Sequence, residues 1–108
     1  MIRTSYFAKY KGPDGVSIAL ITPVWFTGPV YRDLFPSWSM LSRYKETKDS
    51  DAYVKDYINK LRQLDPSKVY KDLDGKVLLC YERPSDFCHR KIVMGWLRHH
   101  GYEVEEIF

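Results

Sequence analysis

The stretch Asp74-Gly75-Lys76-Val77-Leu78-Leu79-Cys80-Tyr81-Glu82-Arg83-Pro84-Ser85-Asp86-Phe87-Cys88-His89-Arg90 reads as a turn, a strand, a loop and the opening of a helix. Its apolar run from Val77 to Tyr81 does not alternate, which suits a strand covered on both faces, as in a parallel sheet. Pro84 stops the strand, because a proline cannot donate to the ladder. Ser85 or Asp86 then offers a cap for a helix from about Phe87 to His99 or His100, with Gly101 marking its end.

The same grammar recurs on either side. Val16-Ser17-Ile18-Ala19-Leu20-Ile21-Thr22 is a second short apolar run, halted by Pro23. Ile2 to Tyr10 mixes β-branched and aromatic residues up to the turn Lys11-Gly12-Pro13-Asp14-Gly15, and Tyr102 to Phe108 closes as a fourth strand. Between these, Ser50 or Asp51 caps a helix whose Val54, Tyr57, Ile58, Leu61 and Leu64 recur at three and four. Asp65-Pro66, a cap followed by proline at the first helical position, opens a shorter helix through Leu73. Strands interleaved with helices predict a single α/β domain over residues 1–108, with a mainly parallel sheet of about four strands and helices packed on it. Pro23 to Tyr44 shows no clear period and reads as a long aromatic connection. Such a segment either packs over the core or walls a binding cleft, for which Trp25, Tyr31 and Trp38 are the candidates.

Composition narrows the function classes. The 108 residues are 44% hydrophobic and 16% aromatic with a net charge of +3, which excludes a disordered chain. No apolar run is long enough to span a membrane, and the first residues lack the apolar segment of a signal peptide, so the expected location is cytoplasmic, with no membrane partner. Two cysteines are too few for a secreted disulfide scaffold. A charge of +3 is far from the strongly basic balance of a dedicated nucleic-acid binder. Between residues 83 and 100, however, Arg83, Arg90, Lys91 and Arg98 face only Asp86, a local zone suited to an anion.

That zone begins where chemistry is concentrated. Cys80, Glu82, Cys88, His89 and Arg90 fall within eleven residues at a strand-to-helix junction, and in open α/β sheets ligands bind in the crevice beyond the carboxyl ends of the strands. Alternation puts Cys80 and Glu82 on one face of the strand and Tyr81 on the other. At about 100° per residue, His89 lies on the same side of its helix as Ile92, Val93, Trp96 and Leu97, facing the sheet. Taken singly, Cys80 reads as a small buried hydrophobe, His89 as a hydrogen-bonded structural histidine, and Glu82 with Arg90 as a salt bridge. Cys88, at a helix N-terminus beside His89 and Arg90, sits where thiolate is favoured. A metal site from Cys80, Cys88 and His89 ranks low, because adjacent Cys and His in a helix point apart and the spacing is not that of a finger or ribbon. A redox pair requires Cys80 and Cys88 to come within bridging distance. The best fit is an anionic group held by Arg90 and Arg83, with Cys88, His89, Glu82 and Cys80 carrying the chemistry.

Leu78-Leu79-Cys80-Tyr81-Glu82 followed by Cys88-His89-Arg90 and an apolar helix resembles the signature of an uncharacterised bacterial and phage family, the domain of unknown function numbered 488. Thr4-Ser5-Tyr6-Phe7-Ala8 is similar to its opening strand, and Tyr31 to Tyr44, with Leu34 and Pro36, to its central segment. Trp25-Phe26-Thr27-Gly28 departs from the basic, proline-containing stretch of many members. The resemblance implies an α/β fold with a site at the motif and lends no activity. The expected function is an enzyme acting on a nucleotide, a nucleic-acid base or a similar anionic substrate, with no cofactor required by the sequence; the local basic charge and the aromatic rings suited to stacking also admit nucleic acid as a partner. The alternative is a non-catalytic binding or interaction protein, in which the motif is structural.

Overall fold

The structure, a computed structural model, describes residues 1–81 and 88–107. Strand β1 spans Ile2–Tyr6, β2 Gly15–Ser17, β3 Val77–Cys80 and β4 Val104–Glu106, while helices α1 to α4 span Trp38–Thr47, Ser50–Leu61, Pro66–Leu73 and His89–His99. The four strands form one all-parallel sheet in the order β2-β3-β1-β4. The α/β architecture with a parallel sheet is therefore as the sequence pattern predicts.

The run at β3 is apolar throughout because both its faces are covered. Leu78 belongs to a core built with Tyr53, Tyr57 and Leu61 of α2, Val69 and Leu73 of α3, and Val93 and Leu97 of α4. Its neighbours Val77 and Leu79 point the other way, into a second cluster with Phe7 and Ala19 against which Tyr10, Phe26 and Ile107 pack. One face of the sheet is thus covered by helices and the other largely by loop aromatics. Arg3 to Tyr6 of β1 lie opposite Val77 to Cys80 of β3, so the carboxyl ends of the two inner strands arrive together at one edge. Gly75, at φ 84°, makes the turn that feeds β3, a left-handed conformation that costs glycine little.

Three local readings are corrected. The aromatic connection contains a helix, α1, which starts where Ser37 accepts a hydrogen bond from the Met40 amide at 3.2 Å. No α1 residue is fully buried, so its apolar stripe of Met40, Leu41 and Tyr44 is too thin to show as a period. The cap of α2 is Asp49, which accepts from the Ala52 amide at 3.1 Å, rather than Ser50 or Asp51. It follows Lys48, whose φ of 55° breaks the chain out of α1. Helix α4 begins at His89, not near Phe87, and its cap is Cys88; the expected caps Ser85 and Asp86 lie outside the described residues. Strands β1 and β2 end at Tyr6 and Ser17, earlier than the runs that announced them. Among the described residues no helix is long and apolar enough to cross a membrane.

Candidate functional site

At the carboxyl edge a cleft of about 190 Å³ opens between the sheet and the helices. Ala19, Leu20 and Ile21 enter it from the segment after β2, and Pro36, Leu41, Tyr44 and Tyr53 line the helical side. Cys80, the last residue of β3, lies in it together with Tyr81, Cys88 and His89. The lining is mostly apolar, with its polar chemistry gathered at the two sulfurs and the imidazole.

The backbone explains why these three groups meet. Cys88 has φ −153° and ψ 141°, an extended cap conformation, so the rule that adjacent helical side chains diverge does not apply to Cys88 and His89. Both sulfurs and a ring nitrogen of His89 lie within 4.8 Å of one another, and all three residues are buried. Cys80 and Cys88 are joined as a disulfide, with Cα atoms 7.5 Å apart. The Cys88 sulfur also accepts from the Arg90 amide at 3.5 Å, satisfying one of the unpaired donors of the first turn of α4. Cys88 thus sits at the positive end of the α4 helix dipole.

His89 faces the sheet, as its helical position predicts. Its Nε2 lies 2.7 Å from the Ile18 carbonyl oxygen. Because a carbonyl only accepts, Nε2 carries the proton and donates, and Nδ1 holds the lone pair. The ring packs edge-on to Tyr57 at 5.5 Å between centroids. Burial first, and then the nearby cations Arg90 and Lys60, push the imidazole down to about 4 against the opposing effect of the Ile18 bond, so it is neutral at physiological pH.

Arg90 points inward. It is fully buried, its Nε donates to Glu106 Oε1 at 2.7 Å, and its Nη1 donates to the Cys80 sulfur at 2.9 Å. Its charge is engaged by a carboxylate on β4 and by the Cys80 sulfur. Glu82 and Arg83 lie outside the described residues. Trp25, Tyr31 and Trp38 are not among the described residues lining this cleft. Trp25 packs edge-on to Phe7, with Lys11 4.0 Å above its ring. Tyr31 donates to Asp72 at 2.7 Å, tying the connection to α3, and Trp38 is exposed at the start of α1.

Sequence reasoning missed the Ile18 carbonyl, Glu106, Leu41 and Tyr53. A backbone carbonyl carries no sequence signal. Glu106 becomes visible only when β4 pairs beside β1, with Thr4 opposite Glu106. Tyr53 was legible, since Tyr53, Tyr57 and Leu61 repeat at four along α2.

Chemically, a cysteine pair and a neutral imidazole lining a cleft can act as a redox couple and, once the disulfide is reduced, as nucleophile and base or as soft ligands. A sequence model of the family DUF488-N3a, described as the active DUF488-N3 subclade, matches residues 9–101. No curated protein and no solved structure matches the chain.

Proposed function

The chain belongs to the DUF488 family, and on that premise we propose that it is an enzyme acting on a small anionic or ring-bearing substrate, such as a nucleotide or a nucleic-acid base. The reacting part of the substrate sits over Cys80, Cys88 and His89. The observation that carries this reading is the convergence of those three side chains, within 4.8 Å of one another, on the floor of a single cleft. A structural core would bury such groups without giving them a cavity, whereas here a cleft with convergent polar groups lies at the carboxyl edge of a parallel sheet. The family's description as active agrees with it. At about 190 Å³ the cleft falls below the roughly 300–1,000 Å³ of sites for drug-sized ligands, which suits one ring system rather than a polymer. The rings of Tyr44 and Tyr53, 5.7 Å apart and edge to face, give a flat group an aromatic wall.

The test is turnover. Reduced protein is incubated with free bases, nucleosides and mononucleotides, and products are followed by chromatography, with Cys88→Ser as control. Turnover of at least one class that disappears in Cys88→Ser is the expected result. Absence of turnover across the panel, together with Cys88 alkylation that rises only near the unperturbed thiol value of about 8.5, overturns the reading.

A further inference from the structure

We propose that the reduced Cys80, Cys88 and His89 form a binding site for one zinc-class divalent ion, with a coordination position open to the cleft. The inference rests on the reading that this cluster is the working site, and adds what occupies it.

The donor set is two sulfurs and one imidazole nitrogen, the combination that selects a borderline-soft ion over magnesium or calcium. Metal-ligand distances of about 2.0–2.3 Å place donors roughly 3.3–3.8 Å apart around a tetrahedral ion; one donor atom from each of the three residues lies within 4.8 Å of the others, with the two sulfurs bonded to each other in the oxidised form. Breaking the disulfide lets the sulfurs separate while the backbone keeps the Cα atoms 7.5 Å apart. The protein supplies three ligands, and all three line the cleft. The fourth position therefore faces the substrate space, the pattern of catalytic rather than structural zinc.

A second observation is independent of the donor cluster. Ligating histidines ordinarily donate their other ring N–H to a carboxylate or a backbone carbonyl, which fixes the tautomer and aims the lone pair. His89 does this through Nε2 to the Ile18 carbonyl at 2.7 Å, which leaves the lone pair on Nδ1 as the one a metal would take. Cys80 likewise has an outer partner, since Arg90 Nη1 donates to its sulfur at 2.9 Å and is itself tied to Glu106. Charge balances: a divalent ion neutralises two thiolates, and Arg90 is neutralised by Glu106.

The chemistry balances as two steps. A phosphine reductant gives two electrons to the disulfide and is oxidised to the phosphine oxide with oxygen from water, whose two protons complete the two thiols. The ion then displaces those two protons, which leave to solvent, with no change in oxidation state.

The test is a Co²⁺ titration of the full chain in a phosphine reductant. The expected result is one ion per chain, with a thiolate-to-cobalt band in the near ultraviolet, tetrahedral cobalt absorption in the visible, and bleaching of both by Zn²⁺. His89→Ala should weaken binding by more than the roughly 10–100-fold that loss of an outer partner costs. Should that variant fail to fold, the wild type still decides, because Zn²⁺ must slow alkylation of both Cys80 and Cys88. Two titratable thiols with no cobalt band, or alkylation indifferent to Zn²⁺, overturns the site. Cobalt binding unchanged in folded His89→Ala also overturns it. Neither readout depends on turnover, so failure of the metal site and failure of the enzyme reading are separable.

Discussion

Arg90 donates from Nη1 to the sulfur of Cys80 at 2.9 Å across the junction between β3 and α4. The same guanidinium holds Glu106 on β4 through Nε at 2.7 Å, so one fully buried side chain fixes the end of β3, the start of α4 and the edge strand together. Arg90→Gln leaves the mostly buried Glu106 carboxylate without its cation, and stability should fall by about 3–5 kcal/mol, read as a lower urea midpoint. Pairing it with Glu106→Gln removes the unpaired charge and should recover much of that loss. Arg90→Lys should not substitute, because an ammonium on a flexible stem lacks the planar fork that serves two partners. A single Arg90→Gln variant as stable as wild type would contradict this picture.

The helix cap separates folding from chemistry. Cys88 caps α4 by accepting the Arg90 amide at 3.5 Å, a task that serine performs better than cysteine. With reductant and a chelator present, Cys88→Ser should be at least as stable as wild type, and Cys88→Ala less stable than the serine variant by about 1 kcal/mol. Both should lose turnover. Thermal melts alongside the activity assay check this, and a serine variant much less stable than the alanine one would show that Cys88 is no cap.

How much of this was legible in the sequence follows from what each signal encodes. The β3 run and the Cys80 to Arg90 motif were readable because burial on two faces removes polar residues from a strand, and because a dense set of reactive side chains is rare by chance. The family resemblance carried by that motif is borne out by the match over residues 9–101. Helix α1 was illegible since, with no residue fully buried, it needs no strong apolar stripe. The meeting of Cys88 with His89 was hidden by reading both as helical. The boundary between cap and first helical residue decides the direction of the Cys88 side chain, and a one-residue shift there decides whether Cys88 and His89 can meet. Glu106 and the Ile18 carbonyl are tertiary partners, supplied by strand order and not by local pattern.

Leu41 tests the cleft without touching its reactive groups. It lies half-buried on α1, facing the cavity, so Leu41→Trp fills space that substrate would use while perturbing the core little. Stability should change by no more than about 1–3 kcal/mol, and turnover should fall at least about tenfold, equivalent to roughly 1.4 kcal/mol. Cobalt binding at Cys80, Cys88 and His89 should persist. A folded variant with unchanged turnover places the substrate elsewhere.

Tyr57 gives a prediction about pH. Its hydroxyl, buried in the core beneath His89, donates to the Leu34 carbonyl at 2.5 Å. Burial first, and then the neighbouring Tyr53, hold the phenol well above the ordinary tyrosine range. The folded-state value is raised, so this stabilisation is complete below the unfolded value of about 10 and is lost as pH climbs towards the folded one. Tyr57→Phe strands the Leu34 carbonyl and should cost about 1–3 kcal/mol at neutral pH. Above pH about 10 the wild type alone pays for keeping that phenol protonated, so the stability gap between the two proteins should narrow. Urea midpoints measured at neutral and alkaline pH test this, and a gap that stays constant or widens with pH would mean that the Tyr57 hydroxyl is not held in its neutral form by the fold.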